Sequence, residues 1–161
     1  MADLRSTVQE LGFTEVSTLL QSGNLLFTST SDADDLESAL EEAILAKFGF
    51  AAKTFIRSAA DWDQIIADNP FPEFAATRPN HLLVTACREV IPQAMLDEIQ
   101  QRVKGSERMI ARGSVLYTTY PDGIGDSKLP STPGFSKLPV GTARNWNTVL
   151  RIQSGLANPV S

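Results

Sequence analysis

Cysteine is almost missing from this chain. Cys87 is the single one in 161 residues, so no disulfide can form within it, which suits a reducing compartment. Histidine is as scarce, with His81 alone, and no Cys/His spacing suggests zinc. No apolar run approaches the roughly 20 residues needed to span a bilayer. No basic-then-apolar leader opens the chain, so the reading is a cytoplasmic protein without a membrane anchor. Basic charge is also short: 14 Lys and Arg stand against 19 Asp and Glu, for a net charge of −5. General nucleic-acid binding leans on many phosphate contacts and is not expected here.

What is present is the composition of a folded globular protein, 42% hydrophobic and 20% charged. The length suits one ordinary domain or two small subdomains. Leu4, Val8 and Leu11 repeat at helical spacing before Gly12, which predicts a helix over 2–11. Val16 to Gln21 and Leu25 to Thr30 are β-branched and apolar around Ser22-Gly23-Asn24, a hairpin pattern. Ser31 and Asp32 offer caps to a helix whose stripe is Leu36, Leu40, Ala43, Ile44 and Phe48. Phe50 to Arg57 reads as a strand. Ser58 and Asp61 form a capping-box pair for a helix with Trp62, Ile65 and Ile66 on one face.

Pro70 to Pro79 is proline-rich and lacks periodicity, so residues 70–79 are expected to link an N-terminal subdomain, 1–69, to a C-terminal one, 80–161. His81 to Cys87 reads as a strand. Pro92 opens a helix with Leu96, Ile99 and Val103 inward. A second hairpin spans 108–120 across Gly113-Ser114, and one helical turn is expected near 126–129. Thr142 is expected to cap a last helix with Trp146, Val149 and Leu150 on its apolar face. The tail after Gly155 is expected to fray. The first half has the order of a split β-α-β unit short of one leading strand, and the second half begins like the same unit.

Gly12-Phe13, Q-S-G-N-L-L-F at 21–27, Y-P-D-G-I-G-D-S-K-L at 120–129 and T-A-R-N-W-N-T-V at 142–149 resemble the family catalogued as domain of unknown function 1697. The resemblance implies an α+β fold of two ferredoxin-like split β-α-β subdomains with antiparallel sheets. It implies a mostly bacterial distribution and carries no established activity. Members of that family usually begin with an extra strand and a glycine-rich turn, so the first subdomain here is expected to lack its initial strand. The gap is then expected to be closed by another strand or by a second copy in a homodimer. Phe50 to Arg57 is the segment most affected.

The candidate site lies between Tyr120 and Thr148. Residues 123–161 hold four basic residues against one acid, while residues 1–122 hold ten against eighteen. Such asymmetry can mark an anion site. G-I-G-D-S-K at 123–128 has glycines beside Ser127 and Lys128, as a phosphate cradle would, but its order is not that of a P-loop. A Pro-Asp-Gly turn explains it equally. If Thr142 caps the last helix, Arg144 and Asn145 occupy its first turn, where free N–H groups attract anions and Arg144 wants a counter-charge. An internal carboxylate would serve as well. The ligand-binding candidates are Ser127, Lys128, Arg144, Asn145, Asn147, Asn24 and Tyr120. Tyr117 and Tyr120 fall on opposite faces of one strand. His81 and Cys87 read as structural, and no catalytic residue, cofactor or metal is assigned. The first functional reading is binding of an anionic small molecule near the start of the last helix. The alternative is a protein-interaction or self-association module using an unpaired sheet edge. A weaker alternative is a nucleotide or phosphoryl enzyme using Lys128 and Arg144.

Overall fold

The structure is a computed structural model and describes residues 2–19 and 23–158. Contacts divide the chain into two units, Met1–Trp62 with Arg151–Ser161, and Asp63–Leu150.

In the first unit α1 (Ala2–Glu10) ends as expected. Gly12 takes a φ of 86°, open to glycine and costly for other residues. β1 (Thr14–Leu19) and β2 (Asn24–Thr28) pair antiparallel, with Ser17 opposite Leu26 and Thr18 opposite Leu25. Gly23 turns the chain at a φ of 80°, while Gln21 and Ser22 lie outside the described residues. α2 (Ala33–Phe48) buries Leu36, Leu40 and Ile44. Phe48, expected in that stripe, is exposed at the helix end and tilts against Phe50 with ring centroids 6.1 Å apart. The core is Val8, Val16 and Leu40 with Leu4, Phe13, Leu25, Phe27 and Ile56, and Phe13 stacks on Phe27 at 4.7 Å.

Phe50 to Arg57 is not a strand, contrary to its β-rich sequence. The physical reason lies on α2. The Thr54 N–H donates to Glu41 Oε1 at 2.8 Å and the Ile56 N–H to Glu37 Oε1 at 2.9 Å. Alternate backbone donors of an extended segment are thus met by carboxylates instead of by a neighbouring strand. The first sheet therefore holds β1 and β2 only among the described residues.

α3 (Ala59–Ala67) opens on the predicted reciprocal pair. The Asp61 N–H donates to Ser58 Oγ at 3.0 Å, and the Ser58 N–H to Asp61 Oδ2 at 3.3 Å. The division between the units falls inside α3. Residues 70–79, expected as a link, are folded within the second unit. They hold α4 (Pro72–Thr77) and a 3-10 turn at Pro79–His81. Pro72 and Pro79 sit at helical starts, where the missing N–H costs nothing.

The second sheet is antiparallel throughout, in the order β4-β5-β3-β6. Its strands are β3 (Leu82–Cys87), β4 (Arg108–Arg112), β5 (Val115–Thr119) and β6 (Gly141–Asn145). β3, α5 (Gln93–Arg102) and β4 form a split β-α-β unit with β5 between its strands. No α-helix joins β5 to β6. Two 3-10 turns, Leu129–Ser131 and Phe135–Lys137, take its place. They serve as a cover because Leu129 is 1% exposed and packs with Cys87, Leu96, Ile99 and Leu116, flanked by Phe135 and Leu138. β6 runs close to β3: a Cβ at Gly141 would meet Cys87 Sγ and Thr85 Cγ2 at 2.7 Å.

The last helix, α6 (Trp146–Ala157), starts four residues after Thr142. Residues 142–145 belong instead to β6, because pairing with β3 satisfies their backbone. Trp146, Val149 and Ile152 are buried, whereas Leu150, expected on the apolar face, is exposed.

Leu129→Ala should destabilise the protein by about 2–5 kcal/mol in urea unfolding, as for a fully buried leucine. Ile124→Ala, on the exposed part of the same segment, should shift stability by less than about 0.5 kcal/mol. Equal effects would remove the 120–140 segment from the core.

Candidate functional site

Leaving β5, the chain buries Tyr120 in the core under α5. Burial, and then the nearby Glu107 charge, push its phenol above the ordinary tyrosine range. Ser127 is tied down: its Oγ donates to Glu107 Oε1 at 2.6 Å and accepts the Leu129 N–H at 3.1 Å. Glu107 is itself buried, and Gly105 leaves room for its carboxylate. The expected phosphate cradle is therefore a joint between β4 and the 3-10 segment. Lys128 is exposed, and its carbonyl closes the turn by accepting the Ser131 N–H at 3.1 Å.

The T-A-R-N-W-N-T motif folds as a strand-to-helix junction. Asn145, expected in the first helical turn, is the cap. Its Oδ1 accepts the Thr148 N–H at 3.0 Å. Arg144, expected beside it in the helix, lies in β6 opposite Val84, so the argument from the helix dipole does not apply to it. The Arg144 Nη1 donates to Thr142 Oγ1 at 2.7 Å and to the Ala143 carbonyl at 2.8 Å. Burial holds its guanidinium below the ordinary arginine value. Asn147 donates from Nδ2 to Asn80 Oδ1 at 2.6 Å, which joins α6 to the turn at Pro79–His81.

The register shows which candidates share a side of the sheet. Arg144, Val84 and Tyr117 stand in one row. Tyr117 donates from its hydroxyl to the Ile65 carbonyl, so this is the face that α3 covers. Burial and then Asp68 push the Tyr117 phenol far above the ordinary range, against a smaller opposing effect of Arg112. Leu129, next to Lys128, packs on the other face with α5. Asn24 lies in the first unit, buried in β2, with its Nδ2 donating to the Leu19 carbonyl at 3.2 Å. Of the sequence candidates, the structure brings together Arg144, Asn145 and Asn147 at the junction, and Ser127 and Tyr120 around Glu107.

Beside the junction lies a groove of about 550 Å³. Ile66, Asn69, Pro72, Pro79, Trp146 and Asn147 are among its walls, and its floor includes alanines of α3 and α4. The volume falls in the range of small-molecule sites, and the groove is a surface depression open to solvent. Sequence reasoning missed Pro72, Ala75, Ala76 and Pro79 because it took 70–79 as a link, and it missed Asn69 because that residue reads as the end of a helix. The available signal was two asparagines bracketing a proline-rich stretch. Arg78 Nη2 and His81 Nδ1 stand 2.9 Å apart at the turn. Among the described residues no three His, Cys, Asp or Glu side chains come together to hold a metal ion. No helix among them is long and apolar enough to cross a membrane.

Two antiparallel sheets with helices packed on them, the second in split β-α-β order, define an α+β protein of ferredoxin-like parts. The chain belongs to the family of proteins of unknown function DUF1697, which residues 1–117 match. The matched stretch stops before Tyr120, so the junction motif lies beyond it. The structure is similar to that of the conserved bacterial protein SP0830 from Streptococcus pneumoniae. The TM-score is 0.69 at 17% identity, covering 97% of this chain and 88% of that one. At that identity the likeness is one of fold. No curated protein matches the chain.

Tyr117 and Tyr120 are the only tyrosines, and both are buried. With both phenols raised in the folded state, their contribution to stability is fully present below about pH 10 and is lost as the pH climbs above it. Absorbance of tyrosinate should therefore not appear near pH 10 but rise together with loss of folded structure. A separate ionisation in the folded protein near pH 10 would count against the buried placement.

Proposed function

We propose that this protein binds a small organic anion at the start of α6, its body lying in the groove against Trp146 and its charged group reaching Arg144. The observation that carries this reading is the groove itself, which adjoins the end of β6. Its apolar walls suit a planar or aliphatic body. Asn69, whose Oδ1 accepts the Phe71 N–H at 2.9 Å, can offer its Nδ2, and Asn147, whose Nδ2 donates to Asn80 Oδ1, can offer its Oδ1, as ligand sites commonly arrange a few polar groups in an apolar surround. Arg144 precedes Trp146 by two residues and adds the charge that the lining lacks. Ser127, Tyr120, Asn145 and Asn24 do not line the groove and have no part in this site.

Calorimetric titration with nucleoside monophosphates and aromatic carboxylates tests the proposal. Arg144→Ala should weaken binding about tenfold or more, the worth of one charge-assisted hydrogen bond. Ala76→Trp, which fills the groove from α4, should abolish binding while the protein stays folded. Lys128→Ala should leave affinity unchanged. If no anion binds, or if Ala76→Trp binds as well as wild type, the reading is lost.

A further inference from the structure

Among the described residues, two side-chain amides line the groove at the start of α6, Asn69 and Asn147. The rest of its lining is apolar apart from the indole N–H of Trp146. Any choice between ligands of equal charge and size therefore falls to these amides, and they are held in different ways.

Asn69 is fixed. Its backbone N–H donates to the Ile66 carbonyl at 3.4 Å, and its Oδ1 accepts the Phe71 N–H at 2.9 Å. Pro70 restricts the backbone on its C-terminal side. Phe71 in turn opens α4, its carbonyl accepting the Ala75 N–H at 2.9 Å, so the amide is tied to a wall of the groove. An amide oxygen that accepts a backbone N–H settles which end of the amide is nitrogen. The Nδ2 group has no partner among the described residues and remains as a donor held in place. Asn147 is adaptable. It meets the side-chain amide of Asn80 at 2.6 Å. Turning both amides over keeps that bond with donor and acceptor exchanged, so Asn147 can present either Oδ1 or Nδ2 to the groove.

We propose that the ligand is a nucleoside monophosphate and that Asn69 selects its base, by donating to an acceptor on the edge of the ring. This rests on the groove being the anion site. Every common nucleobase carries a ring nitrogen or carbonyl acceptor on a planar body, which suits the apolar surface of Pro72, Pro79 and Trp146. Beside that acceptor each base has a further donor or acceptor, and Asn147 can match either kind. The phosphate, on the far side of the ribose, supplies the charge for Arg144. A donor already fixed loses little freedom when the ligand arrives. A ring with no acceptor would leave it desolvated and unpaired, so the groove discriminates by hydrogen bond and not by shape alone.

Calorimetric titration with the four common ribonucleoside monophosphates and with indole ribonucleotide tests this. The indole compound keeps the sugar, the phosphate and a purine-sized ring but has no acceptor on that ring. At least one natural nucleotide should bind the wild-type protein about tenfold or more tighter than it does. Asn69→Asp keeps an oxygen for the Phe71 N–H and replaces the donor by an acceptor. It should bring that ratio to about one or below, and its added charge acts on both ligands alike. A wild-type ratio near one, or a preference that survives Asn69→Asp, overturns the role given to Asn69 while anion binding at the groove stands. If aromatic carboxylates bind and no nucleotide does, the nucleotide assignment fails and the anion site again stands. If no anion of either kind binds, both are lost.

Discussion

A buried peptide N–H that finds no acceptor costs about 1–3 kcal/mol, so the backbone of a small domain is accounted for almost group by group. Much of this structure follows from that one constraint. Where strands pair, the ladder meets it. Where they do not, side chains do: Glu41 and Glu37 for Thr54 and Ile56, Asn145 for Thr148, Ser127 for Leu129. Gln100 is the most economical case. Its amide accepts the Met109 N–H at 2.9 Å and donates to the Glu107 carbonyl at 3.0 Å, so one side chain on α5 pins the start of β4.

The same constraint accounts for the contacts of several polar residues expected at a ligand site. Ser127, Asn145 and Asn24 have the chemistry of ligand contacts, and each is committed to a backbone group or to the buried Glu107. Such residues look functional in a sequence because turns and caps draw on the same short polar side chains as binding sites do. The groove at the start of α6 is different. Its walls come from α3, α4 and α6, elements far apart in sequence, and no local motif announces a surface assembled that way.

Local patterns were legible and distant ones were not. The hairpin across Gly113-Ser114, the helices beginning at Ala2 and after Pro92, and the Ser58–Asp61 box each depend on residues a few positions apart. All of them appear as read. The end of the chain failed for a non-local reason. Thr142 and Asn145 are both good caps three residues apart, and pairing of 141–145 with β3, more than fifty residues earlier, decides between them. On α6 the buried face takes in Ile152 in place of Leu150. Phe50 to Arg57 failed because strand propensity describes a fit to a sheet, and carboxylates from α2 met its donors instead.

The placement of Cys87 makes the chain its own probe. It lies at the end of the central strand β3, 2% exposed, with Gly141 across the ladder and the 3-10 segment over it. A thiol so enclosed reacts with a soluble reagent only when the second unit opens around it. Because it is the single cysteine, every modified molecule records one such opening. The rate of labelling under native conditions thus measures how often the second unit opens around the end of β3, without any denaturant and without an engineered cysteine.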